Sequence, residues 1–168
     1  MKRKPLSEVL SDAGKKKWAK IERRLPELLK ELWEAPGAAR LEHDLSIPEE
    51  PGLYLFLREG EPIYVGQTRN LRSRLAGHCR PAGGHNAATF AFLVAKKAYE
   101  KKYGKWIGTR NGLQAEPEFA GLFVDAKQEV SKMEVRFCLC EDPELRTVFE
   151  VYAAEHLDTK GFNSFETH

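Results

Sequence analysis

The twelve residues from Arg69 to Arg80, RNLRSRLAGHCR, hold four arginines and a histidine. A guanidinium carries a permanent charge, and its planar fork donates two parallel hydrogen bonds, which suits a phosphate. Arg74 and His78 are four residues apart, so in a helix they lie together on one face. A polyanion reaching such a helix meets several guanidinium groups at once. Taken singly, Arg72 and Arg80 read as solvent-exposed charge, so the phosphate chemistry rests on the cluster.

The elements that must position this cluster lie just upstream, within PGLYLFLREGEPIYVGQTRNLRSRLAGH, residues 51–78. Leu53, Leu55 and Leu57 alternate with Tyr54, Phe56 and Arg58, the period of a strand with one buried face. The charged break from Arg58 to Pro62 contains Gly60 and suits a hairpin loop of about 3–5 residues. Ile63, Tyr64 and Val65 resume the strand, which Gly66 ends. Thr68 or Asn70 then caps a helix over 69–78, in which Leu71 and Leu75 share a buried face. Tyr54 and Tyr64 therefore sit on paired strands next to the arginine-bearing helix.

Gly52-Leu53-Tyr54 followed by Tyr64-Val65-Gly66 resembles the paired tripeptides that name the GIY-YIG nuclease superfamily. Further positions strengthen the resemblance. Arg74 stands ten residues after the second tyrosine and His78 four beyond it, while Glu150 and Asn163 match the family's helical glutamate and late asparagine. Singly, Tyr54 and Tyr64 are ordinary strand aromatics and Glu150 is a helix surface charge; their joint occurrence in this order is what carries weight. Glu155 is the rival of Glu150, but it lies eight residues before Asn163 rather than thirteen, and the family's longer separation favours Glu150. The resemblance covers roughly residues 51–168. It implies an α/β (α+β) fold, with a small three-stranded antiparallel sheet flanked by helices.

What the resemblance implies for chemistry is a metal-dependent endonuclease that hydrolyses DNA phosphodiester bonds. Glu150 holds one Mg²⁺ (or Mn²⁺), an ion that keeps several waters and needs few protein ligands. The ion polarises the phosphate and stabilises the departing 3′-oxygen. Arg74 neutralises charge on the phosphoryl oxygens. Tyr54 or Tyr64 positions or deprotonates water. A phenol pKa near ~10 requires cationic help for that, with Arg74, His78 and the metal as candidates. Asn163 orients the site by hydrogen bonds, and Gly52, Gly66, Gln67 and Arg72 line the substrate. Gln67 departs from the pattern, because many members, including the excision-repair nuclease subunit, carry lysine there; the departure shifts demand to His78. The alternatives are a catalytically inactive nucleic-acid- or protein-binding module of the same fold, or an RNA-directed nuclease. The complete Tyr, Tyr, Arg, His, Glu and Asn set favours the enzyme.

The rest of the chain divides around this domain. Residues 1–50 read as an N-terminal helical extension and connector. Residues 6–34 are helical, with apolar stripes at Leu6, Val9 and Leu10 and from Trp18 to Trp33; Gly14 is a candidate break and Pro26 a candidate kink. Residues 81–130 read as a mid-domain insertion. It has a loop at Pro81-Ala82-Gly83-Gly84, a helix over 87–103 capped by Gly104, an irregular stretch, and a short helix within 117–130. Residues 132–140 form the third strand and 143–157 an amphipathic helix. The lysine runs at 15–17 and 96–105 are read as solvated faces ahead of a nucleic-acid contact.

Length and composition fit these expectations. A chain of 168 residues, 42% hydrophobic and 31% charged, is long enough for one domain with an appendage. Its net charge of +2 neither demands nor excludes a polyanion. No apolar run suggests a membrane span, and the N-terminus lacks the apolar core of a signal peptide. Cys79, Cys138 and Cys140 form no CxxC, which suits a reducing cytoplasm and not a disulfide framework. Cutting both strands with one site each requires a homodimer, and the sequence does not decide between monomer and dimer.

Overall fold

The structure, a computed structural model, describes residues 9–38, 46–80, 83–163 and 165. Within them the elements run α1 (Asp12–Glu34), β1 (Gly52–Arg58), β2 (Glu61–Thr68), α2 (Leu71–Cys79), α3 (Thr89–Tyr103), α4 (Arg110–Ala115), α5 (Pro117–Val130), β3 (Glu134–Leu139) and α6 (Pro143–His156). A short 3₁₀ turn follows at Thr159–Gly161. The three strands form one antiparallel sheet in the order β2-β1-β3.

β1 is thus the central strand, and this changes the expected burial. Leu53, Leu55 and Leu57 bury against α1 and α6, in one cluster with Leu28, Leu32 and Phe149. Tyr54 and Phe56 bury on the opposite face, in a second cluster with Phe90, Phe92, Phe119 and Val130 from α3 and α5. Both faces of the strand are dry, so its alternation separates two cores instead of core from solvent. The segment expected as an insertion supplies the cover of one face and the N-terminal helix shares the cover of the other.

Several local expectations are corrected. The hairpin closes in a tight turn at Glu59-Gly60, both with positive φ (54° and 84°), and Arg58 pairs directly with Glu61. Two positive-φ residues are what a twisted two-residue hairpin requires. Pro62 is tolerated because β2 is an edge strand. β2 runs through Gly66 to Thr68. Gly14 does not break α1: Ser11 caps the helix by accepting from the Gly14 amide, and Pro26 lies inside it. Val9, Leu10, Trp18 and Trp33 are exposed, so the buried stripe of α1 narrows to Ile21, Leu25, Leu28 and Leu32. Asn70, not Thr68, caps α2 through the Ser73 amide (2.8 Å), while Thr68 bonds Asn70. The stretch read as irregular contains α4, capped by Thr109. Leu6, His168 and the Pro81-Ala82 part of the loop lie outside the described residues.

Each open edge of the sheet is partly covered. Ala38 makes a two-bond bridge to Val135 on β3 (2.8 and 3.1 Å). On β2, Asn163 occupies the equivalent role with its side chain, as described below. Covering an edge removes a template for unwanted strand pairing.

Candidate active site

The site is built outward from the Tyr54 hydroxyl. Tyr54 lies on the central strand and is fully buried. Arg74 Nε donates to its oxygen at 3.1 Å, and His78 Nε2 is 3.2 Å from it. The four-residue spacing on α2 puts Arg74 and His78 on the face that meets this oxygen. A guanidinium can only donate, so Tyr54 accepts there and its single O–H is left for His78 or Tyr64. Arg74 is further fixed by the Asn86 carbonyl (Nη1, 3.0 Å) and the Thr89 hydroxyl (Nη2, 3.3 Å).

Strand register explains the spacing of the tyrosines. Tyr54 pairs with Gly66 and Phe56 with Tyr64, so the two phenols are diagonal neighbours on one face, their centroids 6.2 Å apart. Gly66 has no side chain because Tyr54 occupies the space: a Cβ there would collide with the phenol ring and hydroxyl. A Cβ at Gly52 would strike the Cys138 carbonyl oxygen and sit 2.7 Å from Leu71 Cδ1. The protein's own atoms thus account for both glycines that had been expected at the substrate. Tyr64 stacks on Phe90 at 4.6 Å and 7°.

Electrostatics link these groups to Glu150 on α6. Burial holds the Glu150 carboxyl above its ordinary pKa, against the opposing effects of a hydrogen bond with Gln67 and the charge of Arg74. Glu150 in turn opposes ionisation of both tyrosines, although burial is the main reason their pKa values are raised, Tyr64's the more so. Among the described residues Glu150 makes no ion pair within 4.0 Å. Glu155, its rival, is exposed and paired with Lys160 at 2.7 Å.

The remaining expected residues have definite places. His78 is fully buried, and burial together with the adjacent Arg74 charge pushes its pKa down to about 3. It is therefore neutral at neutral pH and supplies no cation to a tyrosine, contrary to the sequence expectation. Its Nδ1 has no hydrogen-bond partner among the described residues. Asn163 is buried and clamps the β2 backbone: Oδ1 accepts from Val65 N (3.0 Å) and Nδ2 donates to Val65 O (2.8 Å). It fixes the strand between Tyr64 and Gly66. Gln67 reaches across to α6, donating to Thr147 Oγ1 at 3.4 Å besides its bond with Glu150. Arg72 donates to the Ile47 carbonyl (2.7 Å) and pairs with Glu49 (2.5 Å), so it ties the connector to α2.

Sequence reasoning missed Asn86 and Thr89, which hold Arg74, and Arg110. The Arg110 guanidinium lies over the Phe92 ring, 4.6 Å from its centroid, and its charge reaches Tyr64 and Arg74. All belong to segments without a periodic signal pointing at the site.

No group of three or more His, Cys, Asp or Glu that could hold an ion is present among the described residues. A hard divalent cation with a largely aqueous shell needs only one carboxylate, and Glu150 is a half-buried one that makes no ion pair within 4.0 Å among the described residues. The residues fit such an ion. No helix is long and apolar enough to cross a membrane among the described residues.

Residues 50–119 match the family described as the GIY-YIG catalytic domain. UvrABC system protein C of Aquifex aeolicus is 37% identical over 68 residues, covering 40% of this chain and 11% of that protein. The same protein of Deinococcus radiodurans is 46% identical over 37 residues, 22% of this chain and 6% of its own length. The chain spans about a tenth or less of the curated relatives it matches. The GIY-YIG N-terminal endonuclease domain of UvrC from Thermotoga maritima, bound to magnesium as its catalytic divalent cation, is 17% identical. That match covers 82% of this chain and 97% of that one, with a TM-score of 0.38.

Proposed function

We propose that this chain, whose residues 50–119 carry a GIY-YIG catalytic domain, is a divalent-metal-dependent endonuclease that hydrolyses DNA phosphodiesters. One observation carries the reading: a buried tyrosine hydroxyl held by an arginine, with a second tyrosine and a half-buried carboxylate without an ion pair among the described residues in the same electrostatic unit.

The residues divide the work as follows. Arg74 spends three of its five N–H donors on Tyr54, Asn86 and Thr89. Two remain for the oxygens of a phosphate, and their direction is set in advance. Tyr54 is fully enclosed, whereas Tyr64 retains 6% exposure. Tyr64 is therefore the phenol that meets the attacking water, and Tyr54 orients it. Glu150 is the metal ligand, oriented by Gln67. The bound ion supplies charge for the phosphate and the leaving oxygen. Neutral His78 holds the Tyr54 hydroxyl in place and excludes water from behind it. Asn163 keeps Tyr64 in register. Residues 1–50 act as an extension to the nuclease unit of residues 51–168. The three free cysteines suit a cytoplasmic setting.

The test is cleavage of supercoiled plasmid, of branched and nicked oligonucleotides and of matched RNA, with Mg²⁺ and with EDTA. Arg74→Ala protein is run beside the wild type. Metal-dependent DNA cutting that is lost in Arg74→Ala is expected. Cutting of RNA alone would move the substrate assignment, and salt-sensitive binding without cutting would make the domain a binding module.

A further inference from the structure

Two arginines are anchored on the first turn of α3. Arg74 donates to Thr89 Oγ1 and, just before the helix, to the Asn86 carbonyl. The Arg110 guanidinium carbon lies over the Phe92 ring, 4.6 Å from its centroid. Thr89 and Phe92 are three residues apart, so they are neighbours on one helix face. The helix that delivers Arg110 is tied to the same loop: Gln114 Oε1 accepts from the His85 amide at 3.0 Å. Neither arginine makes an ion pair within 4.0 Å among the described residues. The charge of Arg74 opposes that of Arg110, and an anion that spans both relieves the repulsion.

We propose that Arg110 is a second phosphate-binding residue, holding a backbone phosphate next to the one held by Arg74, so that the segment 81–130 extends the site along the nucleic acid. The inference rests on the nuclease reading and deepens it. The cation–π contact with Phe92 leaves the guanidinium N–H donors for a phosphate. The charge of Arg110 also reaches Tyr64, which places it on the catalytic side of the sheet.

The experiment uses full-length protein with Arg110→Met, which keeps an apolar stem on Phe92, and with Arg110→Lys, which keeps the charge. Binding of a labelled DNA duplex is measured by anisotropy across a salt series in EDTA, and cleavage kinetics are measured in Mg²⁺. Arg110→Met is expected to bind about tenfold more weakly. The slope of log affinity against log salt should shrink by about 1. KM should rise by a similar factor while kcat stays within about twofold. Arg110→Lys should keep the wild-type slope. Unchanged slope and KM in Arg110→Met, with the wild type still cutting, would overturn the role of Arg110 alone. A wild type that neither binds nor cuts DNA would overturn the nuclease reading and this inference with it.

Discussion

Individual side chains at this site are fixed by their neighbours more than by their own type. Gly66 is the sharpest case, because the Tyr54 ring fills the position of its missing Cβ. Gly66→Ala should cost about 1–3 kcal/mol by overpacking and should remove cleavage by displacing the phenol. Chemical denaturation and a cleavage assay on the same preparation check both halves. His78 makes a pH prediction whose sign differs from that of a salt-bridged histidine. Its folded pKa of about 3 lies below the unfolded value near ~6.5, so between these values the unfolded chain holds a proton that the folded one does not. Its contribution to stability is complete above the unfolded value and declines as pH falls through that window. From pH 7 to pH 5 the wild type should lose about 2 kcal/mol more than His78→Gln, measured by urea denaturation at each pH. Parallel pH profiles would contradict the buried neutral imidazole. That Gly66 and His78 gather around Tyr54 was legible through the family resemblance, but the protonation state of His78 was not. That state depends on the closed core around it, which spacing does not report.

At the scale of elements, the pairing of the two tyrosines depends on an edge strand held in register. β1 supplies the ladder on one side of β2, and the Asn163 amide stands in for a missing strand on the other. Asn163→Ala leaves the Val65 N–H and C=O without these partners and should destabilise the fold by about 1–3 kcal/mol. The Val65 amide should lose hydrogen-exchange protection ahead of the β1 amides. Asn163→Asp, which keeps the acceptor but not the donor, should fall between. The three strands and the helices expected over 69–78 and 143–157 followed from periodicity and caps, although the hairpin turn is tighter and β2 longer than expected. The six-residue helix at Arg110 did not, because it is too short for a 3.6-residue period to show. The contacts of Arg72 were not legible for a related reason: its partners, Ile47 and Glu49, are more than twenty residues away in the chain. Arg72→Ala should accordingly leave the salt dependence of DNA binding unchanged, in contrast to Arg110→Met.

For the molecule as a whole, one thin sheet carries two cores, and the site lies on the face covered by α2, α3 and α5. The opposite face is closed by α6 and the N-terminal helix. Alternation in β1 was visible from the sequence, but a strand buried on both sides cannot be told from a half-buried one by alternation alone. The consequence is that α1 stabilises the sheet from the face opposite Tyr54 and Tyr64. Leu32→Ala, at a fully buried position, should cost about 2–5 kcal/mol in denaturation while leaving kcat of the folded fraction near wild type. The proposed role of the half-buried Glu150 carboxylate, that it makes this cluster a metal-dependent nuclease, is tested most directly by single-turnover cleavage of an end-labelled DNA duplex by wild type and Glu150→Gln. The wild type should cut in Mg²⁺ and not in EDTA, and Glu150→Gln should be slower by about a thousandfold or more with its fold intact. Cutting by Glu150→Gln at the wild-type rate, or by the wild type in EDTA, would contradict the account.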